Sequence, residues 1–229
     1  MGKQSSPEEV LLKGLSTWAS VRLRFKEALA EFLGTCLEFE MVVSLQGVVA
    51  QVSLADLQFG SYLSISVVTG IAAMLGVLIA GPVSGGHLNP SVTLALVVFR
   101  RFPVKKAAMY FIGQMLGGFT GAAIVYGNYR SAIDQVEGFN VRTHRTAIIF
   151  STYPQLFLTK TGQFFSEFLA TAMLIIGIFA IVNPRSPKQV HDMAPLWVFL
   201  LILNIGAALG WETGYAMNMA RDFAPRCFA

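Results

Sequence analysis

Long apolar runs, separated by charged or turn-forming residues, divide the chain. They cover about 25–52, 62–80, 104–126, 162–182 and 194–209. A helix crosses the hydrocarbon core of a bilayer with ~20 apolar residues, so each run approaches or exceeds a span. Two further segments do not: 89–98 is short, and another short helix begins at Asn218. The longest polar stretch, 127–160, reads as a loop. The first ~25 residues are polar and mixed, without the apolar core and small-residue cleavage site of a signal peptide.

Composition supports a bilayer. Of 229 residues, 54% are hydrophobic and only 13% charged, with a mean hydropathy of +0.58. A soluble domain carries about 25% charged residues, so most of this surface has to meet something other than water. A net charge of +4 and a pI near 9.2 could signal nucleic acid. Here, however, the cations lie between apolar runs: Arg100, Arg101, Lys105 and Lys106 in one gap, Arg185 and Lys188 in another. With the amino terminus inside, both clusters are cytoplasmic, as the positive-inside rule asks. No nucleic-acid partner is expected. Cys36 and Cys227 sit in apolar stretches and read as packing residues, and His87, His144 and His191 lack metal-ligand spacing. No cofactor, nucleotide motif, ion-coupling cluster or nucleophile–base pair is seen, which argues against a pump and against an enzyme.

Two passages repeat. Ala30-Glu31-Phe32-Leu33-Gly34-Thr35 echoes Ser166-Glu167-Phe168-Leu169-Ala170-Thr171, and Ser84-Gly85-Gly86-His87-Leu88-Asn89 echoes Thr213-Gly214-Tyr215-Ala216-Met217-Asn218. An odd number of spans per copy inverts the second copy in the membrane, a plan that places the site at the repeat interface near the midplane. The short segments then become half-helices that enter from opposite faces, tolerated at membrane depth where protein or a water cavity borders them. Their positive amino-terminal ends meet at one spot. Asparagine suits that spot: its oxygen caps the first turn, and its NH2 is expected to face the lumen as a donor. Asn89 and Asn218 could thus bind a passing hydroxyl or water while disfavouring cations. An isolated Asn-Pro reads as a turn or helix start; the second, aligned asparagine favours the pore reading.

The segments Ser84-Gly85-Gly86-His87-Leu88-Asn89-Pro90-Ser91 and Gly214-Tyr215-Ala216-Met217-Asn218-Met219-Ala220-Arg221-Asp222 resemble the paired signatures of the major intrinsic proteins, or aquaporins, over about 25–228. The resemblance implies an all-α membrane protein: an aquaporin-like inverted repeat with two re-entrant half-helices and five full spans visible, residues 25–229 forming the channel domain after a cytoplasmic tail, 1–24. It implies a second station, a selectivity filter of Thr69, Gly206, Tyr215 and Arg221, in which Gly206 widens the constriction, Tyr215 offers an apolar face and Arg221 supplies donors and repels cations. Asp222 and Phe150-Ser151-Thr152-Tyr153-Pro154 resemble markers of the glycerol-conducting branch. Glu31 and Glu167 are expected to hold the re-entrant loops, since an acid in a span needs partners, and His87 to brace its own loop. The implied function is passive passage of glycerol, water and similar small neutral solutes through a homotetramer in the lipid bilayer, in the plasma membrane with the amino terminus cytoplasmic.

Several positions depart from that pattern. Ser91 replaces an alanine, Met219 a proline, and Thr69 a large aromatic. Glu38 and Glu40 lie in the first run, Glu38 near the face of Glu31 and Glu40 opposite, where a neighbouring subunit is expected. Only three residues follow Arg226, so the second copy is expected to lack its third span. The alternative function is therefore a truncated, non-conducting subunit with a structural or regulatory role.

Overall fold

The computed structural model describes residues 16–39 and 60–227. Ten helices are seen there: α1 (Thr17–Arg24), α2 (26–39), α3 (Tyr62–Ser84), α4 (Pro90–Arg100), α5 (Val104–Glu137), α6 (His144–Ala147), α7 (Lys160–Ile181), α8 (Lys188–Asp192), α9 (Ala194–Thr213) and α10 (Met219–Arg226). Four of the described helices, α3, α5, α7 and α9, are long and apolar enough to cross a membrane. The first apolar run is helical from 26 to 39; its remainder, with Glu40, lies outside the described residues, as does most of the predicted tail.

Local chemistry explains the boundaries. Ser61 caps α3 in a reciprocal box with Ser64, and Gly85 closes it in a left-handed conformation. Thr159 caps α7, and Gly214 ends α9 as Gly85 ends α3. The stretch 127–160 differs from the predicted loop. Helix α5 continues past Tyr126 to Glu137 and, at 1.5 Å per residue, reaches about 50 Å, well beyond a hydrocarbon core of ~30 Å. Within the tail, Ser16 caps the short helix α1.

The long helices pack inside-out relative to a soluble bundle. Only 22% of the apolar window of α7 and of α9 is buried. Leu94, Phe164 and Ile176 face outward, whereas Glu31, Gln114, Asn89, Asn218 and Arg221 are buried. Helix α9 lies along α3 and α7, and both half-helices pack on α5. Small residues allow α5 to do this. Gly113, Gly117 and Gly121 recur every fourth residue against the backbone of α2; a β-carbon at Gly117 would stand 2.5 Å from the Phe32 carbonyl and one at Gly121 2.8 Å from that of Cys36. On the neighbouring face, Gly118 lets the Ala220 carbonyl of α10 approach. Such stripes give close backbone packing where lipid removes the hydrophobic drive between helices.

Candidate functional site

The two repeat loops, 85–88 and 214–217, adopt matching backbones. Each has left-handed residues four, three and one positions before its asparagine: Gly85 (φ 93°), Gly86 (φ 64°) and Leu88 (φ 52°) in the first, Gly214 (φ 85°), Tyr215 (φ 42°) and Met217 (φ 46°) in the second. Side-chain-bearing residues in that region cost of order 1–3 kcal/mol each and persist only where the surroundings enforce them.

The enforcers are the two predicted carboxylates. Glu31 Oε1 accepts from the Ser84 hydroxyl (2.5 Å) and the His87 amide (2.9 Å), and Oε2 from the Leu88 amide (2.7 Å) and Gln114 Nε2 (2.7 Å). Glu167 Oε1 accepts from the Thr213 hydroxyl (2.5 Å) and the Ala216 amide (3.0 Å), and Oε2 from the Met217 amide (3.1 Å). The hydroxyls of Ser84 and Thr213 stand at equivalent repeat positions. That match was visible in the alignment of the copies, but its role as a clamp was not. Gln114, at the centre of the first network and also bonded to Thr93 Oγ1 (3.0 Å), carried no local sequence signal. For His87, Nδ1 lies 3.1 Å from Thr93 Oγ1, and the ring packs on Phe102 and Tyr110.

Held this way, the half-helices meet end to end. Asn89 Oδ1 caps α4 by accepting from the Ser91 amide (2.8 Å), and Asn218 Oδ1 caps α10 by accepting from the Ala220 amide (3.0 Å). The side-chain NH2 groups do more than face a lumen. Asn89 Nδ2 donates to the Met217 carbonyl (3.0 Å), and Asn218 Nδ2 donates to the Leu88 carbonyl (2.9 Å). Each asparagine thus ties its own loop to the opposite one with one N–H, which leaves the second.

Both asparagines line a cavity of about 270 Å³ together with Thr69, Tyr215, Arg221, His87 and Glu38. Its other walls are aliphatic, among them Val92, Leu174, Ile178 and Ile202. Three of the four expected filter positions therefore line the same cavity. Gly206 is not on the cavity lining. The room it leaves is filled by the ring of Tyr215: a β-carbon there would stand 2.9 Å from Cζ. The Tyr215 hydroxyl donates to Thr69 Oγ1 (3.2 Å).

Asp222 and the 150–154 loop, read as separate markers, are brought together. Asp222 Oδ1 accepts from the Thr152 amide (2.7 Å) and hydroxyl (2.8 Å), and Arg226 Nε donates to Oδ2 (2.9 Å). The Arg226 guanidinium also donates to the Thr152 carbonyl and lies 4.9 Å above the Tyr153 ring. Of the two cysteines, Cys36 is buried as expected but Cys227 is exposed, because it follows the last turn of α10.

Comparison with known proteins places the chain in a family. Residues 17–229 match the family model described as "Major intrinsic protein". The chain is 47% identical over 214 residues to aquaglyceroporin-9 of Botryotinia fuckeliana, an alignment covering 91% of this chain and 46% of that protein. It is 48% identical over 214 residues to a probable aquaglyceroporin-2 of Gibberella zeae, covering 91% and 62%. The chain thus spans between about half and two thirds of the length of these two relatives. Among solved structures, the aquaglyceroporin from Plasmodium falciparum superimposes with a TM-score of 0.73 at 28% identity, covering 88% of this chain and 79% of that one.

Proposed function

This chain belongs to the major intrinsic protein family, a family of integral multi-pass membrane channels, and from that premise we propose that it forms a passive channel for glycerol, water and similar small neutral solutes. The observation that carries this reading is the reciprocal asparagine pair on the wall of a cavity that also holds Tyr215 and Arg221.

The chemistry follows from that wall. The lining offers donors, the second N–H of each asparagine and the Arg221 guanidinium, together with aliphatic side chains. A polyol meets both, with its hydroxyl oxygens on the donors and its carbon skeleton on the apolar face. The solute passes without covalent change, so no acid, base or nucleophile is needed. Cations are opposed by the Arg221 charge and by the two helix amino termini. A unit charge 4 Å away in an effective dielectric of 20 contributes about 4 kcal/mol, roughly a thousandfold in occupancy. Glu38, on the same cavity, adds an acceptor for solute hydroxyls. The name of each of the two relatives above includes the word aquaglyceroporin, in line with glycerol as the solute. The clusters Arg100–Lys106 and Arg185–Lys188 support an amino terminus on the cytoplasmic side of the plasma membrane, and the outward apolar faces suit a homotetramer within the bilayer.

Stopped-flow light scattering on proteoliposomes tests the reading, with one step of glycerol and another of an impermeant sugar. Glycerol entry well above that of empty liposomes is expected. Entry equal to empty liposomes for both glycerol and water, with insertion verified, would replace the channel by a non-conducting subunit.

A further inference from the structure

Tyr215 reaches the cavity through a gap in α9 that is two glycines long. A β-carbon at Gly206 would stand 2.9 Å from Tyr215 Cζ and 3.0 Å from Cε2. One turn further on, a β-carbon at Gly210 would overlap both the Tyr62 hydroxyl and Tyr215 Cδ1, and would lie 2.9 Å from Cε1. Tyr62 enters this gap from the first turn of α3, and its hydroxyl donates to the Gly206 carbonyl (3.2 Å). At the far end of the ring, the Tyr215 hydroxyl donates to Thr69 Oγ1 (3.2 Å). Thr69 spends its own proton on the Ile65 carbonyl (2.8 Å), so its oxygen is free to accept.

We propose that Gly210 and Tyr62 are specificity-determining positioning residues: they build the outer half of a socket that fixes the Tyr215 ring across the cavity, and this socket sets which solutes pass. Neither residue lines the cavity, so they act through Tyr215. The backbone of Tyr215 does not fix the ring by itself, because its left-handed φ of 42° is imposed on it. The ring is held by what surrounds it: α9 backbone on one face, Tyr62 beside its edge, and Thr69 at its hydroxyl. A methyl group at Gly210 has to displace either Tyr62 or Tyr215, and a Tyr215 ring pushed off α9 moves toward the cavity it lines. A polyol is wider than water, so glycerol passage registers such a shift before water passage does.

The inference rests on the channel reading, and two measurements separate their failures. In proteoliposomes, Gly210→Ala is expected to lower glycerol permeability about tenfold per inserted protein while water permeability changes by less than about twofold. Tyr62→Phe, which removes one hydroxyl and folds if Gly210→Ala does not, should move the ratio in the same direction by less. Combining the two should restore part of the glycerol flux, because the added methyl no longer meets the hydroxyl. An unchanged glycerol-to-water ratio in both single variants overturns the socket. If the wild-type chain passes neither solute, the channel reading fails, and the socket is decided by 19F spectra of protein carrying 3-fluorotyrosine. The Tyr215 resonance, assigned by its loss in Tyr215→Phe, is expected to shift in Tyr62→Phe; a resonance that stays put overturns the socket.

Discussion

The two re-entrant loops share a backbone and differ in what holds it. In the first, Glu31 is fully buried and accepts four hydrogen bonds, one of them from Gln114 on α5. In the second, Glu167 is half-buried and accepts three. The first loop places glycine at its second left-handed position, Gly86, and proline at the first helical position, Pro90; the second places Tyr215 and Met219 there. The first loop is therefore the more fully bonded of the two. The second accepts strain at Tyr215, whose ring becomes a wall of the cavity, and recovers anchorage outside the loop, through Asp222, Thr152 and Arg226. Two copies of one scaffold are thus braced differently, one with a further bond from Gln114 and one through Asp222.

The sharpest way to break this comparison is to remove the carboxylates. Glu31→Leu leaves the His87 and Leu88 amides without their acceptor and Gln114 Nε2 with Thr93 Oγ1 alone, and at ~1–3 kcal/mol for each stranded amide should cost about 3–5 kcal/mol. Glu167→Leu should cost visibly less. Unfolding midpoints in detergent check the order, and equal losses would erase the asymmetry. Next in size, Gln114→Leu should remove about 1.5–3 kcal/mol, the worth of a hydrogen bond to a charged group, and bring the first loop down toward the second; the same measurement reads it. Asp222→Ala should cost a similar ~2 kcal/mol but act on the second half only, seen as faster proteolysis in the 150–154 loop with the first half still protected. The smallest effect is at the first helical position. Met219→Pro should stabilise by about 0.4–1 kcal/mol, since the fixed φ of proline suits that site, and Pro90→Met should lose a comparable amount. Differential scanning fluorimetry of the pair distinguishes the two signs.

Much of the fold was legible. The apolar runs, the two short segments and the asparagine N-caps follow from hydropathy period and capping chemistry, which act over a few residues. The end of α5 was missed because its last turns, 127–137, are polar; they stay helical by continuing an established helix rather than by apolar pattern. The stripe of Gly113, Gly117 and Gly121 was present as a spacing, but its partner α2 could not be named from the sequence. At the site, the sequence supplied candidate positions and not their geometry. Gly206 was expected to open space for solute, whereas the Tyr215 ring occupies that space. Asn89 and Asn218 were expected to face the lumen, whereas each also binds the opposite loop.

By itself the sequence determined that this chain belongs in a bilayer, that it is built from an inverted repeat, and which acids, asparagines and arginine stand at equivalent or special places. These depend on composition, period and local caps, which each residue carries along the chain. Only the tertiary structure decided that Asp222 reaches Thr152, that Gln114 serves Glu31, and that Tyr62 and Gly210 flank Tyr215. Asp222 and Thr152 are 70 positions apart, Glu31 and Gln114 83; such contacts arise because polar groups removed from water must find partners wherever the packing of helices brings them.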